Sequence, residues 1–293
     1  MRDINILNRR RCIIAFVVCL LIVVLSILGI IKRILAPLGD TTIITGKDVF
    51  KYFTVLSNAF VNACAILCVP FEIEGLLKEN YHLPRWIVDF LFVGVTNTTI
   101  TLLISLFMIA PTKGFVFTFS GSLLYMHLLC PLLALILFVY INVDHNIKVS
   151  RIFYAVIPVV IYGVIYLIKV FVLGQENGGW IDLYYVKGKV PGWLLLIGIF
   201  VIGILIAYIL RKHHNKKHQE YKKIKEEYYM ENYKNRNVDI IDAIKDIALK
   251  DKRKYKEGNI FIPVHTINTL KRIYKSDYEN KKLYDVYVET FFS

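Results

Sequence analysis

Thr54, Asn58 and Asn62 recur at every fourth position of an otherwise apolar stretch, a spacing that puts them on one face of a helix. A second apolar stretch carries His127, in the run Tyr125-Met126-His127-Leu128-Leu129-Cys130-Pro131, and a third carries Lys169. A hydroxyl is a weak nucleophile at neutral pH and becomes effective when a base within hydrogen-bond reach takes its proton. Imidazole suits that task because it titrates near neutrality. Thr54 as nucleophile and His127 as base is therefore one reading, with Asn58, Asn62 and Lys169 as binding groups. Structural readings stand beside it. Asparagines hydrogen-bond between helices in membranes, a lone histidine is often a satisfied donor, and a lysine near a span end snorkels to the surface.

The elements that must position these groups follow from hydropathy. The chain has 293 residues, is 56% hydrophobic and has a mean hydropathy of +0.51. Its apolar residues come in long blocks rather than in alternating faces. A run of about 18 or more apolar residues is long enough to cross a bilayer, and it must be helical because lipid offers the backbone no partners. Six such blocks are predicted: Cys12–Ile31, Phe50–Pro70, Trp86–Ala110 stopped by Pro111, Ser122–Ile141, Ile152–Leu173 and Trp193–Leu210. The fold class expected is an all-α, polytopic membrane bundle, with residues 1–11 as N-terminus, 12–210 as the six-helix domain and 211–293 as a basic helical tail. The first block is longer than a usual signal core and is followed by Lys32 and Arg33 rather than a small-residue cleavage site, so it reads as a retained span. Trp86, Trp180 and Trp193, at or near block ends, read as interfacial anchors.

Orientation follows from the basic residues. Arg2, Arg9, Arg10 and Arg11 precede the first span, and Arg211, Lys212, Lys216 and Lys217 follow the last. The positive-inside rule puts both termini in the cytoplasm, which makes the chain a multi-pass protein of the cell membrane. Lys32, Arg33 and Lys47, in the first outer loop, run against that assignment. The second and fourth spans then run from outside to inside. At a rise of about 1.5 Å per residue, Thr54 and His127 fall at nearly the same depth. Lys169 lies near the outer end of the fifth span. Asp89 reads as a snorkelling or helix-N-terminal carboxylate; Asn97, Thr98, Thr99 and Thr101 either line a polar cavity or bond neighbouring helices.

The net charge of +13 is what a membrane protein gathers beside anionic headgroups. Membrane lipids, not nucleic acid, are the partners it implies. Cys12, Cys19, Cys64, Cys68 and Cys130 all lie in or beside apolar blocks and form no disulfide framework; buried small hydrophobes are the commoner role. No phosphate loop, zinc spacing or nucleotide motif occurs, so neither metal nor cofactor is expected. In the tail, His213, His214 and His218 read as part of a solvated basic face rather than metal ligands. Asp239–Leu249 has apolar residues at helical spacing, for packing on a protein partner, on the tail itself or on lipid. Gly258 and Pro263 break that pattern, and a final helix is predicted over His265–Tyr274.

The segments Tyr52-Phe53-Thr54-Val55-Leu56-Ser57-Asn58 and His127-Leu128-Leu129-Cys130-Pro131 resemble a bacterial family of six-pass membrane proteins. That family is distantly similar to the androgen-induced and androgen-dependent protein family of animals. The loop Gly179-Trp180-Ile181-Asp182-Leu183-Tyr184 also looks like the bacterial pattern before the last span. The resemblance covers roughly residues 10 to 212 and leaves the tail outside. The animal members are hydrolases of fatty-acid esters of hydroxy fatty acids, with an intramembrane threonine nucleophile and a histidine. The resemblance implies a lipid-ester (fatty-acyl) hydrolase in which Thr54 matches the nucleophile and His127 its partner. Two other readings remain: a non-enzymatic membrane scaffold or sensor with the tail as interaction module, and a small-solute transporter.

Overall fold

A computed structural model describes residues 4–35, 46–78, 82–141, 143–182, 184, 192–234, 240–256 and 280–292. Six helices are long and apolar enough to cross a membrane. They are α1 (Ile4–Ile34), α2 (Phe53–Lys78), α3 (Arg85–Lys113), α4 (Gly121–Tyr140), α5 (Arg151–Leu173) and α6 (Gly192–Lys234). Two further helices follow, α7 (Ile240–Lys256) and α8 (Asn280–Phe292). No strand occurs among the described residues. The chain is an all-α, multi-pass membrane bundle.

The burial pattern says why these helices need lipid. Along α1, Cys12, Ala15, Cys19, Ile22 and Ser26 are buried at steps of three and four residues. Ile13, Val17, Leu21, Val24 and Leu28, equally apolar, are exposed. In water this outer face would cost about 25 cal/mol per Å² of apolar area; in a bilayer it is solvated. The helix α3 carries the most buried span and packs against α2, α4 and α5. All five cysteines are buried free thiols.

Pro111 does not end its helix as the sequence predicts, and Pro131 sits inside another without breaking it. The helix α3 passes Pro111, and it does so by widening one turn first: Ala110 N–H reaches back five residues to the Ser105 carbonyl. In α4 the same widening precedes Pro131, where Cys130 N–H reaches the Tyr125 carbonyl. Proline lacks an N–H and its ring crowds the preceding turn, and a π-turn absorbs both effects without breaking the helix. A third π-turn, Ile168–Leu173, ends α5 at Gly174.

Polar residues inside α3 mostly close on their own helix. Thr96, Thr98, Thr99 and Thr101 hydroxyls donate to carbonyls one turn earlier. Asn97 crosses to α5 and donates to the Ala155 carbonyl at 2.9 Å, in the turn before Pro158. Of these residues Asn97, and Thr101 through the Ser57 hydroxyl at 3.1 Å, bond a neighbouring helix as expected, while Thr98 and Thr99 bond their own. Asp89 is not left to snorkel: its carboxylate pairs with Arg151 Nη2 at 3.0 Å.

The helix α6 continues past Leu210, and its next turns belong to the bundle. Contacts divide the chain into Asn5–Gln219 and a second unit of Met1–Ile4 with Glu220–Ser293. Arg211 Nε donates to the Ile147 carbonyl at 2.9 Å, and Asn215 bonds both the N–H and the carbonyl of Ile147. His214 is buried, with Nε2 2.9 Å from the His145 carbonyl, and His218 Nδ1 meets the Val143 carbonyl. His214 and His218 thus hold the α4–α5 loop instead of facing solvent as part of a basic surface. In the second unit, Ile240, Ala243, Ile244, Ile247 and Ala248 of α7 pack on Leu283 and Tyr287 of α8. The amphipathic stretch therefore packs on the tail itself. The predicted helix over His265–Tyr274, like Gly258 and Pro263, lies outside the described residues.

At this loop, His145 sits beside His82, with ring centroids 5.4 Å apart, and near Asp144, Arg85 and His218. Burial, then the charge of His82, holds the His145 imidazole below its ordinary value; Asp144 works the other way. The unfolded chain takes this proton near pH 6.5, as a free histidine does (about 6.5), while the folded chain resists it. Stability is therefore present above that pH and lost on acidification below it. The melting temperature in detergent is expected to fall between about pH 7 and about pH 5, and to fall less in His145→Gln. Identical slopes in the two proteins would refute this origin.

Candidate functional site

The site is assembled from the first turns of α2, the π-turn of α4 and the end of α1. The helix α2 starts at Phe53, whose N–H would otherwise be one of the orphan donors of a helix start. It donates to the Tyr184 hydroxyl at 3.1 Å. Tyr184 N–H in turn donates to the Tyr166 hydroxyl at 3.1 Å, and Tyr166 donates to Asp182 at 3.1 Å. Tyr162 donates to the Lys51 carbonyl at 2.7 Å. The loop after α5 thus clamps the turn that presents Thr54. Trp180 packs on the rings of Tyr162 and Tyr166, so it belongs to this clamp rather than to an outer anchoring belt; Trp86 and Trp193 are exposed as anchors would be.

Asn58 joins α2 to α4. Its Nδ2 donates to the Thr54 carbonyl at 2.7 Å and to the Met126 carbonyl at 3.0 Å. The second bond has a clear cause. Cys130 N–H has gone to Tyr125 instead of Met126, and Pro131 has no N–H to offer, so the Met126 carbonyl has no helical donor. Asn58 supplies it across the bundle. One amide therefore ties the turn holding Thr54 to the turn holding His127. Ser57 and Thr101 hydroxyls meet at 3.1 Å alongside.

His127 is buried, and its Nδ1 lies 3.0 Å from the Thr118 carbonyl. A carbonyl only accepts, so Nδ1 carries the hydrogen and, in the neutral ring, Nε2 carries the lone pair. Thr118 is held for this by a short turn, Phe115–Thr118, entered through Gly114 at φ 94°; the Thr118 hydroxyl bonds the Gly114 carbonyl at 2.9 Å. Thr54 is half-buried. Among the described residues its hydroxyl makes no hydrogen bond, to His127 or to any other group.

Asn62 lies one turn beyond Asn58, and the side-chain oxygens of both are buried without a hydrogen-bond partner among the described residues. Lys169 is in the π-turn of α5; its carbonyl accepts Trp180 N–H at 3.1 Å. Its ammonium bonds to none of the other site residues. Two functional neighbours went unread in the sequence. Thr118 acts through its backbone, which no side-chain pattern announces. Arg33, read only as a loop charge, is 8% exposed, with its guanidinium carbon 5.1 Å from the centre of the Tyr52 ring. Its charge also acts on His127. Val49, Val55 and Met126 form the apolar floor here. No grouping of His, Cys, Asp and Glu among the described residues is arranged to hold a metal.

Comparison of the chain with family models, curated proteins and solved structures gives no match.

Proposed function

We propose that this integral membrane protein is an intramembrane threonine hydrolase of fatty-acyl esters, set in the cell membrane with both termini cytoplasmic. The observation that carries the reading is the fixed tautomer of His127. A backbone carbonyl holding Nδ1–H leaves Nε2 as a base, the arrangement that activates a hydroxyl nucleophile. The Thr54 hydroxyl, without a hydrogen bond among the described residues and one Asn58 amide away from the turn of His127, supports it, as does the resemblance of the two segments to a bacterial family distantly similar to the threonine hydrolases.

In this mechanism Thr54 Oγ attacks the acyl carbonyl carbon while Nε2 takes its proton. The ester C–O bond breaks, and the leaving alkoxide receives that proton from the imidazolium. Water, deprotonated by Nε2, then attacks the acyl-threonine ester, releasing the fatty acid and returning the proton to Thr54. Asn58, Asn62 and Lys169 have binding roles in this reading, with Asn58 acting as the positioning group.

A fluorophosphonate probe tests it. Wild-type protein in detergent is expected to label, and Thr54→Ala and His127→Ala to label about a hundredfold or more slowly, the scale of general-base catalysis. Wild type labelling no faster than Thr54→Ala would end the proposal. The α7–α8 core favours one other reading, the scaffold with the tail as its module. Full cellular function in both variants, with loss on deleting residues 211–293, would select that reading.

A further inference from the structure

Lys32 and Arg33, adjacent at the end of α1, have opposite surroundings. Lys32 is exposed, with Nζ 3.3 Å from the Tyr125 hydroxyl and 5.1 Å from its ring centre. Arg33 is 8% exposed. A snorkelling arginine keeps its charged head in water or among outer headgroups; Arg33 is instead largely buried. Among the described residues its ring contact is with Tyr52, and a ring face offsets only part of the cost of desolvating a guanidinium. Among the described residues Arg33 has no ion pair and no hydrogen bond. Asp48, an acid of the neighbouring turn Gly46–Lys51, is paired with Lys51 at 3.1 Å. The Tyr52 ring that Arg33 meets packs in turn on the apolar Val49, Val55 and Met126.

A buried guanidinium keeps five donors, in a planar fork that matches a carboxylate or phosphate. It stands at the end of a spanning helix, the level at which a bilayer presents headgroups. We infer that Arg33 anchors the oxyanion headgroup of an anionic amphiphile, whose chain lies along the bundle in the bilayer. The shared chemistry is a phosphate or carboxylate on a lipid chain. A phospholipid and a fatty acid are the two sources. The inference stands apart from catalysis: it requires Arg33, and it survives loss of Thr54.

The test uses the full chain in uncharged detergent, with phosphatidylglycerol, oleate, phosphatidylcholine and inorganic phosphate as separate additives. Phosphatidylglycerol, oleate or both are expected to raise the melting temperature of wild type, and which of them does so identifies the source. Phosphatidylcholine and inorganic phosphate are expected to have no effect. In Arg33→Gln the apparent affinity is expected to fall about tenfold or more, as befits loss of a bidentate charged contact. Without lipid this variant is expected to melt no lower than wild type, because a largely desolvated charge with no ion pair among the described residues has gone. Lys32→Gln and Thr54→Ala are expected to bind as wild type does. If Arg33→Gln fails to fold, Arg33→Lys replaces it: a weaker response at retained charge supports the fork geometry, and an unchanged response overturns it. Equal stabilisation of wild type and Arg33→Gln by both amphiphiles overturns the inference, as does an equal shift from inorganic phosphate alone.

Discussion

Replacing Asn58 with leucine is expected to destabilise the bundle by about 1–3 kcal/mol, the cost of leaving a buried carbonyl unpaired. The carbonyl concerned is that of Met126, which receives Asn58 Nδ2 at 3.0 Å. The Thr54 carbonyl is less affected, because the Ser57 hydroxyl also reaches it at 3.1 Å. Interhelical hydrogen bonds in membranes average about 0.6 kcal/mol, because the unfolded segments find other partners in lipid. Met126 is at the upper end for a local reason: the residue that would replace Asn58 as donor is Pro131.

That reason predicts a coupling. In Pro131→Ala, residue 131 regains an N–H that can turn inward and serve the widened turn. Asn58→Leu should then cost less than it does with Pro131 present, with an interaction energy of about 0.5–3 kcal/mol. The measurement is a double-mutant cycle of unfolding in mixed detergent micelles. Strict additivity would mean that the Met126 carbonyl is not what Asn58 serves. A second readout separates structure from chemistry. If Asn58 touches substrate, as its place among the binding residues implies, Asn58→Leu would keep its melting temperature and lose fluorophosphonate labelling. If it positions Thr54 and His127, both fall together, and Pro131→Ala restores part of each.

The six spans were legible because lipid imposes a coarse rule, length and hydropathy, that short motifs do not disturb. Span ends were less so. Pro111 reads as a stop, yet α3 continues to Lys113, since a π-turn shifts the unmade bond instead of ending the helix. Leu210 reads as the end of the last span, yet Arg211, His214 and Asn215 bond loop carbonyls. Polar side chains beyond a span carry no sign of whether they face water or another loop. Thr54, Asn58 and His127 were visible as unusual polar types in apolar runs. Their division of labour was not: it depends on which carbonyls the prolines leave open. Lys32 and Arg33 looked alike in the sequence, and helix rotation alone separates an exposed lysine from a buried arginine.

Gly179→Ala is expected to have the largest effect on stability outside the spans. Gly179 N–H donates to the Gly174 carbonyl at 2.7 Å, where the chain folds back on the end of α5. A Cβ there would run into the carbonyl oxygens of Lys169 and Gly174, both backbone atoms. A side chain could rotate away, but these atoms cannot, so the loop must open. The cost is expected near the top of the overpacking range, about 3 kcal/mol. Opening the loop would also withdraw Trp180 from the Lys169 carbonyl and Tyr184 from Phe53 N–H, freeing the start of α2. Gly178 supplies the control. It adopts φ 76° with open space around it, so Gly178→Ala meets only backbone strain, about 1–2 kcal/mol. Gly179→Ala should therefore melt lower than Gly178→Ala and, alone of the two, lose labelling at Thr54. Equal melting of the two variants, with labelling intact in both, would show that the loop does not hold the turn of Thr54 in place.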